Sequence, residues 1–298
     1  SGTLLPPTAE TELLKPVSGT NYPDYGWRWG NRGSVSSAAI EKPHFSGLRP
    51  LLEGQFDLAY SPLMMLEHGD GLLLLNMLDV EHRSDPVAKI MTRRLMQFAE
   101  QHQPQQVAGP TVVIGDLSAN HWLHTLGLVY EPTLTLPVSG GLAVIGKDHG
   151  LTKDSIDQFL AAGGRILALP ESGLASVLGF QTETINDFVG TLTPPAWSET
   201  AGISASDTRM RAPLKAEVFS QGPGDIADGG GLARYQTGNG TVILLAISPE
   251  DLKADEQTYL RYTRWRMNRM IAQILANLGG RFEADAALLT LGDVSRRP

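Results

Sequence analysis

One stretch of the sequence decides the fold that we expect for this chain: Gly163-Gly164-Arg165-Ile166-Leu167-Ala168-Leu169-Pro170-Glu171-Ser172-Gly173. A helix should end where this stretch begins, because Thr152 can cap a helix and the glycine pair can stop it. The apolar run that follows is typical of a short buried strand, and Pro170 closes it. The segment directly after this strand, Pro170–Gly173, is called the elbow below.

Two further apolar runs precede this stretch and extend the same pattern. They are Thr111-Val112-Val113-Ile114 and Leu142-Ala143-Val144-Ile145. A strand, a helix and another strand in such short succession form a βαβ unit, in which the strands run parallel. Because the runs are short and mostly apolar, we expect a sheet that is covered on both faces. The sequence therefore predicts an α/β fold.

The stretch from Gly163 to Gly173 resembles the helix, strand and elbow of class I glutamine-amidotransferase-like domains. This resemblance implies a flavodoxin-like parallel sheet. Families with that activity place a nucleophilic cysteine at the elbow, whereas this chain has Pro170, Glu171 and Ser172 there and no cysteine at all. The resemblance thus implies the fold and argues against the activity.

A weak internal repeat suggests how the chain is divided. A hairpin turn, an apolar strand and an amphipathic helix occur twice, first in Gly69-Asp70-Gly71, Leu72 to Leu75 and Pro86 to His102, and again in Gly238-Asn239-Gly240, Thr241 to Leu244 and about Asp255 to Leu278. We therefore expect one complete unit and one partial related unit. The predicted ranges are an extended lead-in at 1–24, the partial unit at 25–106, the complete unit at 107–282 and a tail at 283–298.

A second resemblance covers most of the chain. It is carried by Trp27-Arg28-Trp29-Gly30-Asn31-Arg32-Gly33, Glu41-Lys42-Pro43-His44, Phe56 to Leu63, and Tyr259 to Arg269, which are similar to the C-terminal part of large bacterial glycoside hydrolases of the β-galactosidase (family two) kind. In such proteins the catalytic carboxylates lie in an upstream barrel domain. The resemblance implies a non-catalytic accessory region of a longer, secreted or periplasmic polypeptide, which braces the catalytic domain or supports a homo-oligomer.

Composition excludes several classes of function. The formal net charge of −8 disfavours nucleic acid and anionic membranes as partners, since phosphate binding requires a basic face. The absence of cysteine excludes disulfides, thiolate zinc sites, iron–sulfur clusters and cysteine nucleophiles. We expect no cofactor and no metal, and a neutral carbohydrate remains compatible with the charge.

The polar block at 25–57 is the best candidate for a ligand site. Aromatic rings beside polar groups suit a sugar, because its CH faces stack on rings while its hydroxyls form hydrogen bonds. The candidate residues are Trp27, Trp29, Asn31, Arg32, Glu41, Lys42 and His44. The alternatives are that these residues pin an irregular segment in place, or that Glu41 and Glu53 form the carboxylate pair of a glycoside hydrolase.

Four weaker patterns favour ordinary structural roles. His121 and His124 lack the spacing and the glutamate of a metal-binding helix. Ser172 with His149 lacks the flanking glycines of a nucleophile elbow. Asp228-Gly229-Gly230-Gly231 is followed by no phosphate-binding helix, so we expect a hairpin or loop there. Finally, a solvated helix face is expected for the arginines of the last helix, Arg261, Arg264, Arg266 and Arg269.

Overall fold

The chain divides into two compact units. One consists of Ser1–Pro43, Leu48–Pro104 and Ala201–Ser206, and the other of His44–Gly47, Gln105–Thr200 and Asp207–Pro298. The computed structural model of the protein describes residues 13, 36, 38–43, 45–54, 58–68, 71–81, 85–103, 109–116, 121–190, 193–252 and 260–283. The domain ranges expected from the sequence stay a prediction.

The first unit is a small antiparallel sheet with one helix. Its strands are β1 (Ile40–Glu41), β2 (Arg49–Gly54), β3 (Tyr60–His68) and β4 (Gly71–Asn76), and its helix is α1 (Pro86–Gln101). Strand β3 pairs antiparallel with β1, β2 and β4. Leu52, Leu63 and Met65 of the strands pack with Met91 and Leu95 of α1 in one hydrophobic cluster.

The structure of the first unit corrects one expectation and confirms another. The partial unit was expected to share a parallel, flavodoxin-like sheet, but every described strand pair of the first unit is antiparallel. The helix start is as predicted: Asp85 caps α1 by accepting a hydrogen bond from the Val87 backbone at 2.8 Å, with Pro86 at the first helical position.

The second unit alternates strands and helices. Its elements are β5 (Thr111–Ile114), α2 (His121–Leu126), β6 (Glu131–Thr133), β7 (Leu142–Ile145), α3 (Lys153–Ala161), β8 (Arg165–Ala168), α4 (Leu174–Leu178), β9 (Gln181–Gly190), the second half of α5 (Ala205–Thr208), β10 (Arg209–Gln221), β11 (Asp225–Ile226), β12 (Leu232–Thr237), β13 (Gly240–Leu245) and α6 (Leu260–Asn277). The predicted strands at 111–114 and 142–145 have these bounds in the structure. The third predicted strand starts one residue earlier than expected, at Arg165.

Seven of these strands form one mostly parallel sheet, in the order β11-β12-β13-β8-β7-β5-β6. The five strands from β13 to β6 pair parallel, and β11 and β12 are added antiparallel at one edge. Counted along the chain, the parallel strands lie in the order 2-1-3-4-5. The order reverses between β5 and β7, and the elbow follows β8.

Both faces of this sheet are buried, as the apolar strands predict. On one face Ile114, Ile145 and Ala168 pack with Ile156 and Phe159 of α3. The alternate side chains are equally buried on the other face: Val113, Val144, Leu167 and Ile243. Helix α3 begins with a capping box between Thr152 and Ser155, and Gly163 ends its turn with a φ of 80°.

Strands β9 and β10 form a separate two-stranded antiparallel ribbon. The register pairs Phe219 with Thr182, Val218 with Glu183 and Glu217 with Thr184. Cross-strand partners share a face and successive residues alternate, so Thr182, Glu217 and Phe219 lie on one face while Glu183 lies on the other.

Helix α6 corrects the expectation for its arginines. Arg269 is buried and forms an ion pair with the buried carboxylate of Asp207, which precedes β10. Arg264 and Arg266 are half-buried, so the described arginines of this helix do not form a solvated face. Among the described helices, none has the length and apolarity that crossing a membrane requires.

Candidate functional site

The elbow lies at the carboxyl end of β8, where open α/β sheets often bind ligands or carry a nucleophile. Leu169 leads into a single 3-10 turn over Pro170–Ser172, and Gly173 follows with a φ of 71°. Pro170 carries no nucleophilic atom. Any chemistry at the elbow would therefore depend on the side chains of Glu171 and Ser172.

The hydroxyl of Ser172 is used for structure. It donates a hydrogen bond to the Leu169 carbonyl at 2.6 Å and accepts one from the Leu174 backbone N–H at 3.2 Å. The side chain is buried, with 9% of its surface exposed. A hydroxyl that donates to a carbonyl is not poised to give its proton to a base, so Ser172 closes the elbow and starts α4.

His149 lies beside the elbow but does not activate Ser172. Its Nδ1 accepts a hydrogen bond from the Leu151 backbone N–H at 2.8 Å, and the ring is hydrogen-bonded to the backbone of Ser172 rather than to its hydroxyl. Burial lowers the pKa of His149, while that backbone hydrogen bond and the charge of Asp148 act in the opposite direction. Burial thus favours the neutral form of His149, and the hydrogen bond to Ser172 connects the elbow to the segment after β7. The triad considered from the sequence is not formed.

Glu171 is the ionisable side chain of the elbow itself. Burial raises the pKa of its carboxyl group, a hydrogen bond to its own backbone lowers it, and the charge of Asp251 raises it. Asp251 accepts a hydrogen bond from the Ser248 backbone N–H at 2.7 Å, which holds it in the turn after β13. The two carboxyl groups thus lie close enough for the charge of Asp251 to act on Glu171.

Backbone hydrogen bonds continue past the carboxyl ends of β5 and β7, where the strand order reverses. The Asp116 N–H donates to the Lys147 carbonyl at 2.6 Å, and the Gly146 N–H donates to the Ile114 carbonyl at 2.8 Å. Gly115 makes this approach possible, since it has a φ of 102° and an added Cβ would lie 2.4 Å from the Lys147 oxygen. Open α/β folds bind nucleotides near such a reversal of strand order.

A cavity of about 230 Å³ opens next to the elbow, over the carboxyl ends of β8 and β13. Its apolar walls include Leu169, Phe180, Phe219 and Leu244, and its polar side chains include Ser176, Thr182 and Glu217. The two phenylalanine rings meet edge to face, with centroids 6.0 Å apart. We call this the elbow cavity.

The structure describes only part of the polar block at 25–57. Trp27, Trp29, Asn31, Arg32 and His44 lie outside the described residues. Their proposed role in sugar binding stays a prediction.

Two described residues of the block are held in a buried ion pair. The Lys42 ammonium contacts the Glu53 carboxylate, and both side chains are 1% exposed. The Lys42 backbone N–H also donates to the Ala59 carbonyl at 2.8 Å. Glu41, by contrast, is exposed on β1. These features fit a structural brace, because an ion pair of this burial is closed to a substrate.

A second polar cluster in the first unit was missed by the sequence reasoning. Burial lowers the pKa of Arg49, opposed by the charge of Glu67, and Glu67 in turn pairs with His102 at 2.6 Å. The three residues lie on β2, β3 and the end of α1, far apart in sequence, so no local motif marks them.

No metal centre is found in the described part of the chain, where no group of three His, Asp or Glu side chains could hold an ion. The side chains of His121 and His124 lie outside the described atoms, so a metal role for them is untested. The glycine-rich segment at 228–231 forms a short 3-10 turn over Asp228–Gly230, which fits the expected loop.

Comparison with known proteins yields weak likenesses. No family model matches the chain, and no curated protein matches it. Among solved structures, it is similar to the β-galactosidase from Rahnella sp. R3, at 17% identity over 54% of this chain and 31% of that one, with a TM-score of 0.35. The β-galactosidase from Bacillus circulans sp. alkalophilus is 12% identical over 65% of this chain and 35% of that one, with a TM-score of 0.36.

A third similar structure is the exo-β-1,4-mannosidase Op5Man5 from Opitutaceae bacterium strain TAV5. Its identity is 11%, over 67% of this chain and 41% of that one, with a TM-score of 0.35. The chain thus spans between about a third and two fifths of the length of these glycoside hydrolases. Structural similarity at these TM-scores carries no argument about the activity of this chain.

Proposed function

We propose that this chain is a non-catalytic accessory region of a carbohydrate-active glycoside hydrolase. In this proposal the second unit is a flavodoxin-like domain of the class I glutamine-amidotransferase type that has lost its chemistry. The 2-1-3-4-5 order of the parallel strands supports that fold assignment. The link to glycoside hydrolases rests on the sequence similarity carried by the tryptophan-rich segment and the last helix.

The observation that carries the non-catalytic role is the state of the elbow. Pro170 occupies the expected nucleophile position, and the Ser172 hydroxyl is committed to Leu169 and Leu174. His149 accepts from the Leu151 N–H and bonds to the elbow backbone, so it has no free base function. Each polar group of the elbow that such chemistry would recruit already serves to hold the turn together.

The partner in this proposal is an upstream catalytic domain of the same polypeptide, which the region braces or helps to assemble into a homo-oligomer. The buried Lys42–Glu53 pair supports a bracing role for the polar block. It also counts against Glu53 as half of a catalytic carboxylate pair, since general acid/base work requires access to the substrate.

The test is an activity assay on the purified chain. We expect no hydrolysis of p-nitrophenyl β-D-galactoside and no release of ammonia from glutamine above the buffer rate. Turnover that disappears in Glu41→Gln or Glu53→Gln would overturn the proposal in favour of a hydrolase. Saturable oligosaccharide binding that disappears in Trp27→Ala would instead favour a sugar-binding module.

A further inference from the structure

The elbow cavity has the size of a small-molecule site. Its volume of about 230 Å³ exceeds the roughly 150 Å³ of an engineered protein cavity that takes up benzene. It falls below the roughly 300 Å³ at which pockets for drug-sized ligands begin. A ligand of this cavity is therefore small, with a handful of non-hydrogen atoms.

The apolar and the polar lining residues of the cavity are separated by their depth. Phe180, Phe219 and Leu244 are buried and form apolar wall, whereas Ser176, Thr182 and Glu217 are exposed. The ribbon register places Glu217 and Phe219 on the same face, so carboxylate and ring border the same space. A ligand with one apolar end and one polar end fits this division.

The charge of the cavity is negative. Glu217 is the one ionisable side chain among its described lining residues, and no described Lys, Arg or His lines it. The Glu217 carboxylate makes a single long contact, from the Thr182 hydroxyl at 3.5 Å, and so retains most of its capacity to accept hydrogen bonds. The polar end of the ligand must therefore donate hydrogen bonds, and a positive charge on it is favoured.

We propose that the elbow cavity binds a small primary alkylammonium ion. The ammonium group donates to the Glu217 carboxylate and the Ser176 hydroxyl, and the alkyl chain lies against Phe180 and Phe219. The ammonium gains a charge-assisted hydrogen bond to the carboxylate, the alkyl chain gains apolar contact with the rings, and the net charge of −8 adds a long-range attraction. This inference is independent of the proposed link to glycoside hydrolases, because it uses only the walls of the cavity.

The experiment uses the full chain and four matched probes: n-butylammonium chloride, 1-butanol, sodium butyrate and D-galactose. Isothermal titration calorimetry and ligand-observed saturation-transfer NMR at low salt measure their binding. We expect saturable binding of n-butylammonium in the millimolar range, and no saturation with butyrate or galactose. Glu217→Gln is expected to weaken the ammonium affinity by about fivefold, the size of a partly exposed ion pair.

Glu183→Gln is the matched control, because Glu183 is an exposed carboxylate on the same ribbon but on its opposite face. It removes the same charge from the protein and should leave the ammonium affinity unchanged. The proposal is overturned if n-butylammonium fails to saturate, if both glutamine variants weaken it equally, or if 1-butanol binds as tightly. Saturation by galactose that is sensitive to Glu217→Gln would assign the cavity to sugars instead.

Discussion

The buried ion pair between Lys42 and Glu53 makes the sharpest test of how the polar block works. Both side chains are 1% exposed, so replacing one residue leaves the other as an uncompensated buried charge. Breaking a buried pair in this way costs about 3–5 kcal/mol of unfolding free energy. Replacing both residues by apolar ones of similar size is about neutral, because the cost of burying two charges disappears together with their attraction.

The expected numbers follow for equilibrium unfolding in urea. With an m-value of about 2 kcal/mol/M, a loss of about 3 kcal/mol lowers the unfolding midpoint by about 1.5 M urea. Lys42→Met and Glu53→Leu should each show such a shift, while the double variant recovers most of it. This non-additivity separates a coupled pair from two independent effects.

Glu41→Gln provides the control, since Glu41 directly precedes Lys42 but is exposed, and its replacement should change stability by less than about 0.5 kcal/mol. The reasoning is refuted if Glu53→Leu unfolds at the wild-type midpoint, or if the double variant is as unstable as the sum of the single ones. Either result would mean that the two side chains are hydrated in solution, which would reopen Glu53 as a group that a substrate can reach.

Three further perturbations test the parts of the fold that position the elbow and the helices. Asp85→Ala should cost about 1 kcal/mol in urea unfolding, because two backbone N–H groups of α1 lose their cap. The pKa of His149 is lower in the folded protein than its ordinary value of 6.5. Near that pH the unfolded chain therefore binds a proton more readily than the folded one, and the free energy of unfolding should fall as the pH drops from 7.5 to 5.5. That fall should be smaller in His149→Gln and unchanged in the exposed control His68→Gln. Gly115→Ala should cost at least about 2 kcal/mol more than Gly163→Ala: both have positive φ, but an added Cβ meets a backbone oxygen only at Gly115.

Much of the second unit, and the start of α1 in the first unit, could be predicted from local signals. The runs at 111–114 and 142–145 are apolar and bounded by glycine or proline, and both form strands with the expected bounds. Thr152 and Asp85 cap their helices because a side-chain oxygen before a helical pattern has one clear role. The sequence was sufficient to predict a structural role wherever the interacting groups lie within four residues of each other.

The rest depends on pairings that no local pattern contains. Strand β2 reads Arg-Pro-Leu-Leu-Glu-Gly, with no alternation, so neither its existence nor its antiparallel partner could be predicted. Arg269 was expected in solvent because an isolated arginine prefers water, and its buried partner Asp207 lies on another element. For the same reason the sequence did not show that Lys42 is the partner of Glu53, which it offered only as half of a carboxylate pair or as an ordinary polar side chain.

The elbow and the cavity beside it differ in how much hydrogen-bonding capacity their side chains retain, and this limits the functions possible at this end of the sheet. A group takes part in chemistry or binding only when it has hydrogen-bonding capacity left over from folding. Ser172 has committed its hydroxyl, and His149 bonds to two backbone segments, so introducing a thiol alone, as in Pro170→Cys, should not produce glutaminase activity. Glu217, at the mouth of the cavity, retains that capacity. The proposed absence of catalysis at the elbow and the proposed binding of a ligand in the cavity are therefore compatible, because they depend on different residues.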